Sequence, residues 1–222
     1  MADRGRREGP LGERLKLFFL RRVLFNVWRA AERLRIRLST EGPAHAPTDA
    51  QREAMDALVA RARADGGAID ASSLAYPAHE LLTHLVLRYG LLLHGTNNTQ
   101  LEVIEPRPAR DFGTHVDAVA AADDGIWPLF YAVIARDRVR GVFTACLHLG
   151  RPPRQRRFYM FRVFGADPHD ATTWTRGAVY AVSREEFRRE WGNEWLAGNE
   201  VAPVLRVLVE PSDFPLRSVV TA

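Results

Sequence analysis

Beyond Gly95 the chain breaks into short runs rich in β-branched and aromatic residues, at 101–104, 118–121, 141–149, 157–164, 177–182 and 201–209. Between them only residues 126–135 and 184–190 read as helical. Strands therefore outnumber helices in this half and do not alternate strictly with them. That order suits hairpins and mostly antiparallel sheets, whereas a Rossmann arrangement needs a crossover helix between parallel strands. The expected class is α+β.

The residues ahead of these runs carry helix signals instead. Leu17, Leu20, Leu24, Val27, Ala31, Leu34 and Leu38 recur at alternating spacings of three and four, so they fall on one helical stripe, which Phe18, Phe25 and Trp28 widen. Residues 1–12, polar and containing Gly and Pro, read as a frayed terminus. After a Gly/Pro linker at residues 41–47, Thr48 and Gln51 form a capping pair for a helix that runs to about Ala64 and stops at Asp65-Gly66-Gly67. Tyr76-Pro77 then opens a helix through His79, Leu81, Leu82, Leu85 and Val86, with Gly90 as its stop. The expected organisation is a basic amphipathic helical segment (1–40), a helical segment packing on the core (41–88) and the α+β domain (89–222).

With 222 residues, 46% of them apolar, the chain is long enough to fill a core. Its one cysteine, Cys146, excludes an internal disulfide and a thiolate zinc cluster and fits a reducing compartment, so a cytoplasmic location is expected. The apolar stretch 17–20 is cut off by Arg21-Arg22, which argues against both a signal peptide and a membrane span. Residues 1–38 hold ten arginines and one lysine against four acids, a net +7, which leaves about −3 for the rest of a chain of net charge +4. The basic character thus belongs to the N-terminal helix. Its arginines read as a solvated face, as an interfacial membrane helix or as a nucleic-acid contact.

Several polar groups tempt a metal or catalytic reading. Cys146 and His148 alternate on a strand and share a face, but no third polar partner is visible, so a buried thiol is expected. Asp123-Asp124 lacks the ligand count of a cation site and suits a cap for the helix near Ile126. His79 and His84 stand five apart, off a shared helical face, and no metal site is expected. Residues 151–157 form a basic loop, a hairpin tip or a phosphate contact. There is no Walker loop, GxGxxG or HExxH motif.

Two segments stand apart. Leu91-Leu92-Leu93-His94-Gly95-Thr96 ends an apolar strand in an imidazole, a bare backbone and a hydroxyl. Gly95 would let a ligand approach the main chain, where its N–H and C=O match a planar amide. Asn193-Glu194-Trp195 places a carboxylate ahead of the alternating run 201–209. Together they suggest a nucleotide site.

The ordered combination of His94-Gly95-Thr96, then residues 118–123 followed by Pro128-Leu129-Phe130-Tyr131-Ala132, then Asn193-Glu194-Trp195, resembles the ADP-ribosyltransferase fold of the diphtheria-toxin and poly(ADP-ribose) polymerase branch. The likeness covers about residues 91–214. It implies antiparallel split β-sheets around a nucleotide cleft, NAD as substrate, and transfer of ADP-ribose to an acceptor that the sequence does not name, or to water. By the same resemblance His94 holds the adenosine-side ribose hydroxyl, Gly95 clamps the nicotinamide carboxamide with its main chain, and Thr96 adds a hydrogen bond. Tyr131 stacks on nicotinamide, and Glu194 is the catalytic carboxylate. The middle tyrosine of that family's His-Tyr-Glu set is matched by Ala120, so one stacking face is missing unless Trp127 or Phe112 supplies it. That departure keeps open a degenerate module that binds NAD or ADP-ribose without turnover. Arg107, in a loop expected to flank the nucleotide, either meets the pyrophosphate or pairs with Glu105 or Asp111, and Arg110 has the same two roles open.

Overall fold

The computed structural model describes residues 10–34, 36, 38–111, 114–152 and 154–222. Helix α1 (Pro10–Arg33) leads through the short strand β1 (Thr40–Glu41) to α2 (Asp49–Ala64), β2 (Ala68–Asp70) and α3 (Ala78–Tyr89). Next come β3 (Leu92–Thr96), β4 (Arg107–Asp111), β5 (Thr114–Ala122), α4 (Trp127–Val133), β6 (Gly141–Leu149) and β7 (Arg156–Phe164). The chain then adds β8 (Gly177–Val182), β9 (Arg188–Trp191), β10 (Glu194–Ala197) and β11 (Pro203–Val209).

Local chemistry sets the helix ends. Thr48 Oγ1 accepts from the Gln51 amide while the Gln51 side chain accepts from the Thr48 amide, a reciprocal cap that contributes about 1 kcal/mol to α2. Met55, Val59 and Ala62 then bury one stripe. α3 ends at Gly90, whose φ of 67° lies in the left-handed region that favours glycine, and turns directly into β3.

The larger sheet has the order β2-β11-β8-β3-β5-β10-β9, with β4 beside β5, and the smaller one the order β1-β7-β6. Among the described residues every pairing of these strands is antiparallel except β2 with β11. The protein is thus α+β with antiparallel-rich sheets. Both faces of the larger sheet are covered, which is why all six residues of β8 are buried. On one face α3, α4 and the smaller sheet enclose the main core, where Phe130, Phe161, Trp174 and Phe214 form a mutually packed aromatic group. On the other, Leu92, Val119, Tyr180, Val182, Phe187 and Val201 pack together.

Four expectations change. Residues 184–190 are one 3-10 turn, Arg184–Glu186, followed by β9, because Arg188–Trp191 folds back on β10 as a hairpin. Residues 101–104 contribute only the isolated bridge from Ile104 to Val201. Glu194 opens a strand of its own, β10, separated by five residues from β11. Arg107 begins strand β4, paired with Ala118 of β5, where a loop was expected.

The N-terminal helix turns only one side of the expected stripe inward. Trp28 is buried against Leu147, Leu149 and Phe158 with Phe25 beside it, and Ala31 is buried as well, while Leu24, Val27, Leu34 and Leu38 of the expected stripe are exposed. That orientation follows a polar anchor. The Glu32 carboxylate, buried, accepts from the Ser39 hydroxyl at 2.6 Å, the Leu38 amide at 3.1 Å and the Trp28 indole at 3.3 Å. No described helix is long and apolar enough to cross a membrane.

Candidate functional site

Strand β3 is paired with β8 along its whole length, from Leu92 with Val182 to Thr96 with Ala178. Its other edge meets β5 only at Leu93, opposite Ala122. Past Leu93 the sheet therefore splits, and the split holds the His94 ring. Nδ1 of His94 lies 2.7 Å from the carbonyl oxygen of Ala120, so the side chain bridges a gap that ladder hydrogen bonds would otherwise close. A carbonyl can only accept, which puts the proton on Nδ1 and leaves Nε2 as an acceptor. Burial lowers the His94 pKa and the Arg107 charge works in the same direction, against the carbonyl bond. The ring is neutral at pH 7, with a lone pair to offer a hydroxyl.

Gly95 owes its identity to packing. A Cβ there would collide with the Pro128 carbonyl and the Ala132 amide, and one at Gly177 with the Ala132 carbonyl. Helix α4 thus lies directly on β3 and β8, closer than any side chain allows. The bare backbone at Gly95 is thus required by the helix. Thr96 sits at the strand end, where its Oγ1 accepts from the Asn98 amide at 3.2 Å. Asn97, which the sequence did not single out, ties down the end of α4: its Nδ2 donates to the Ala132 carbonyl at 2.8 Å and its Oδ1 accepts from the Arg136 amide at 3.2 Å.

The helix placed in this way carries the aromatic side chains. Tyr131 and Trp127 stand one turn apart, and both bond Thr144 Oγ1 of β6, at 2.6 Å and 2.9 Å. Burial raises the Tyr131 pKa and the Glu194 charge adds to it, so the carboxylate lies within electrostatic reach of the phenol. Glu194 is half-buried and pairs with Ala122, beside a register shift between β10 and β9. Leu93, Ala122 and Glu194 form one row across β3, β5 and β10, with roughly 10 Å from the first to the last at strand spacings of about 4.8 Å. Arg107 is exposed at the start of β4, and Ala120, half-buried, presents only a methyl group. Phe112 and the side chain of Arg110 lie outside the described residues.

The arrangement brings His94, Glu194, Tyr131 and Arg107 onto the elements that border the β3/β5 split. These supply an acceptor nitrogen on β3, a carboxylate on β10, an aromatic ring on α4 and a guanidinium on β4. No protein-family model, curated protein or solved structure matches the chain.

Proposed function

We propose that the protein is an NAD-dependent mono-ADP-ribosyltransferase-like enzyme that breaks the nicotinamide–ribose bond and passes ADP-ribose to an acceptor or to water. The observation that carries this proposal is the His94 ring bonded to the Ala120 carbonyl at 2.7 Å inside a split antiparallel sheet. It leaves a neutral imidazole with Nε2 free of its own strand, suited to accept from a ribose hydroxyl. Glu194, two strands away, then accepts from a hydroxyl of the nicotinamide ribose and stabilises the positive charge that develops as the C–N bond lengthens. Nicotinamide leaves as a neutral base against the Tyr131 ring, with main-chain groups of Gly95 and the Thr96 hydroxyl at its carboxamide. The acceptor attacks the opposite face of the sugar and gives up its proton. Arg107 supplies a bidentate contact for the pyrophosphate.

Ala120 removes one stacking face, a loss of about 1 kcal/mol in NAD affinity on the scale of an aromatic pair. The test is nicotinamide release from NAD by wild type and Glu194→Ala, with calorimetric NAD titration of both. Turnover that falls by at least about 100-fold in the variant while binding persists supports the enzyme. NAD binding without turnover in either protein makes the chain a sensing module, and absence of both refutes NAD as the ligand. A cytoplasmic location belongs to this proposal, since NAD is an intracellular substrate and Cys146 is a free thiol.

One observation favours an additional role for α1. Val27 and Leu34 are 56% and 73% exposed beside the exposed Arg22 and Arg33, on a segment of net charge +7. Apolar and cationic side chains together fit an anionic lipid surface better than a nucleic acid, which has no use for the aliphatic groups. Sedimentation with anionic vesicles, lost in Val27→Glu, tests it.

A further inference from the structure

A second polar cluster lies at the turn from β5 into α4. Cys146 and His148 share one face of β6, and the structure supplies the third partner that the sequence did not reveal, Asp124, brought in from more than twenty residues away. The thiol sulfur, an imidazole nitrogen and a carboxylate oxygen lie within 4.8 Å of one another. We infer that Asp124, Cys146 and His148 form a binding site for a divalent transition metal of the zinc class, with three protein ligands and one open position.

The donor set is the first argument. Imidazole, thiolate and a single carboxylate suit zinc or cobalt and not calcium or magnesium, which take oxygen ligands. Bonds of about 2.0–2.3 Å to a tetrahedral ion put ligand atoms about 3.5 Å apart, so closing the cluster needs only side-chain adjustments. Charge is the second. A bound metal takes Asp124 as a carboxylate and Cys146 as a thiolate, so two negative ligands balance a doubly charged ion in a buried place.

The surroundings already orient each ligand. Asp124 Oδ1 accepts from the amides of Ile126 and Trp127 at 2.8 and 2.6 Å, and Oδ2 accepts from the Tyr159 hydroxyl and from His148 Nε2, both at 2.7 Å. Asn193 Nδ2 donates to Cys146 Sγ at 3.4 Å, the kind of bond that supports a thiolate. Binding exchanges the His148–Asp124 hydrogen bond for three metal bonds. Cys146 gives up its thiol proton to solvent, and the Nε2 proton of His148 leaves for Nδ1 or for solvent. An open cavity of about 450 Å3 has His148, Asp123, Gln155 and Arg184 in its wall and so reaches the His148 member of the cluster.

A nucleophilic role for Cys146 fits less well. Its thiol is buried and burial pushes its pKa well above the usual range, with the Asp124 charge adding to the shift. A reactive thiolate needs the opposite environment, electropositive and accessible, unless a metal supplies the charge.

Cobalt(II) titration of the reduced full-length protein tests the site. The expected result is one equivalent bound with a thiolate-to-cobalt charge-transfer band in the near ultraviolet and the intense visible absorption of four-coordinate cobalt, both erased by zinc. Cys146→Ser loses the charge-transfer band and His148→Gln binds at least tenfold more weakly, each with a cooperative thermal melt that reports an intact fold. A wild-type spectrum without the thiolate band overturns the assignment. So does cobalt uptake that both variants retain unchanged, which would move the metal to histidines elsewhere such as His79 and His84.

Discussion

His94 and His148 are both half-buried histidines with one ring nitrogen fixed at 2.7 Å from an oxygen, yet the oxygens differ in kind. His94 meets a neutral carbonyl, which decides only where its proton sits and leaves the far nitrogen as an acceptor. His148 meets the carboxylate of Asp124, a buried charge that also carries two helix amides and a phenol. Burial alone would push that carboxyl up; the His148 bond and charge, the Arg157 charge and the Trp127 amide hold it far below the usual carboxylate range. The first arrangement builds an acceptor at an opening. The second builds an anchor for the helix that borders the opening. The same residue type serves two ends because its partner, and not its own chemistry, sets what remains available.

The largest test of that contrast removes the anchor. Asp124→Ala leaves two amides, a phenol and an imidazole without their acceptor and is expected to cost about 3–5 kcal/mol in urea unfolding, the scale for breaking a buried charged network. His94→Ala, by contrast, is expected to cost under about 1.5 kcal/mol, one ordinary hydrogen bond, while weakening NAD binding. Equal losses in the two variants would break the comparison.

Gly95→Ala comes next. Its methyl meets the backbone of α4, so overpacking of about 1–3 kcal/mol is expected, together with a displaced Tyr131 and slower nicotinamide release. A variant of unchanged stability would mean that the helix yields freely and that Gly95 is kept for a ligand.

Acid separates the two regions further. The Asp124 carboxylate has a folded-state pKa below its unfolded value near 3.9, so its stabilisation is complete above about pH 4 and is lost as the pH falls further. His94 also has a lowered folded-state pKa, so its neutral form holds at pH 7 and NAD affinity is expected to fall as the pH drops below about 6.5 toward that value. Affinity measured by calorimetry should therefore fade while the fold, followed by circular dichroism, still stands. The smallest expected effect is a gain: Ala120→Tyr restores a stacking face and should tighten NAD by about 1 kcal/mol, roughly fivefold.

The parts of this fold that were legible in the sequence are those written in neighbouring residues. Thr48 with Gln51, Pro77, Gly90 and the Asp124 cap mark helix ends because each satisfies or blocks a backbone group within a few positions. The hairpin of β6 and β7 and the buried strand β8 followed from runs of alternating or continuous apolar residues. Residues 184–190 misled because Arg, Glu and Phe suit a helix locally, while pairing with β10 made the last three of that stretch and Trp191 into β9. α1 misled in the same way, since several of its faces are apolar and only Glu32, Ser39 and β6 choose between them.

Sequence alone therefore determined the ends of α2 and α3, the α+β class and the chemical types present at His94 and Glu194, all of which rest on short-range propensity and order. Tertiary structure alone decided that β3 and β5 part after Leu93, that α4 presses its backbone on Gly95, and that Asp124 joins Cys146 and His148. Such contacts are fixed by the pairing and packing of segments twenty to a hundred residues apart, where the energy comes from burial and geometry that no local pattern records.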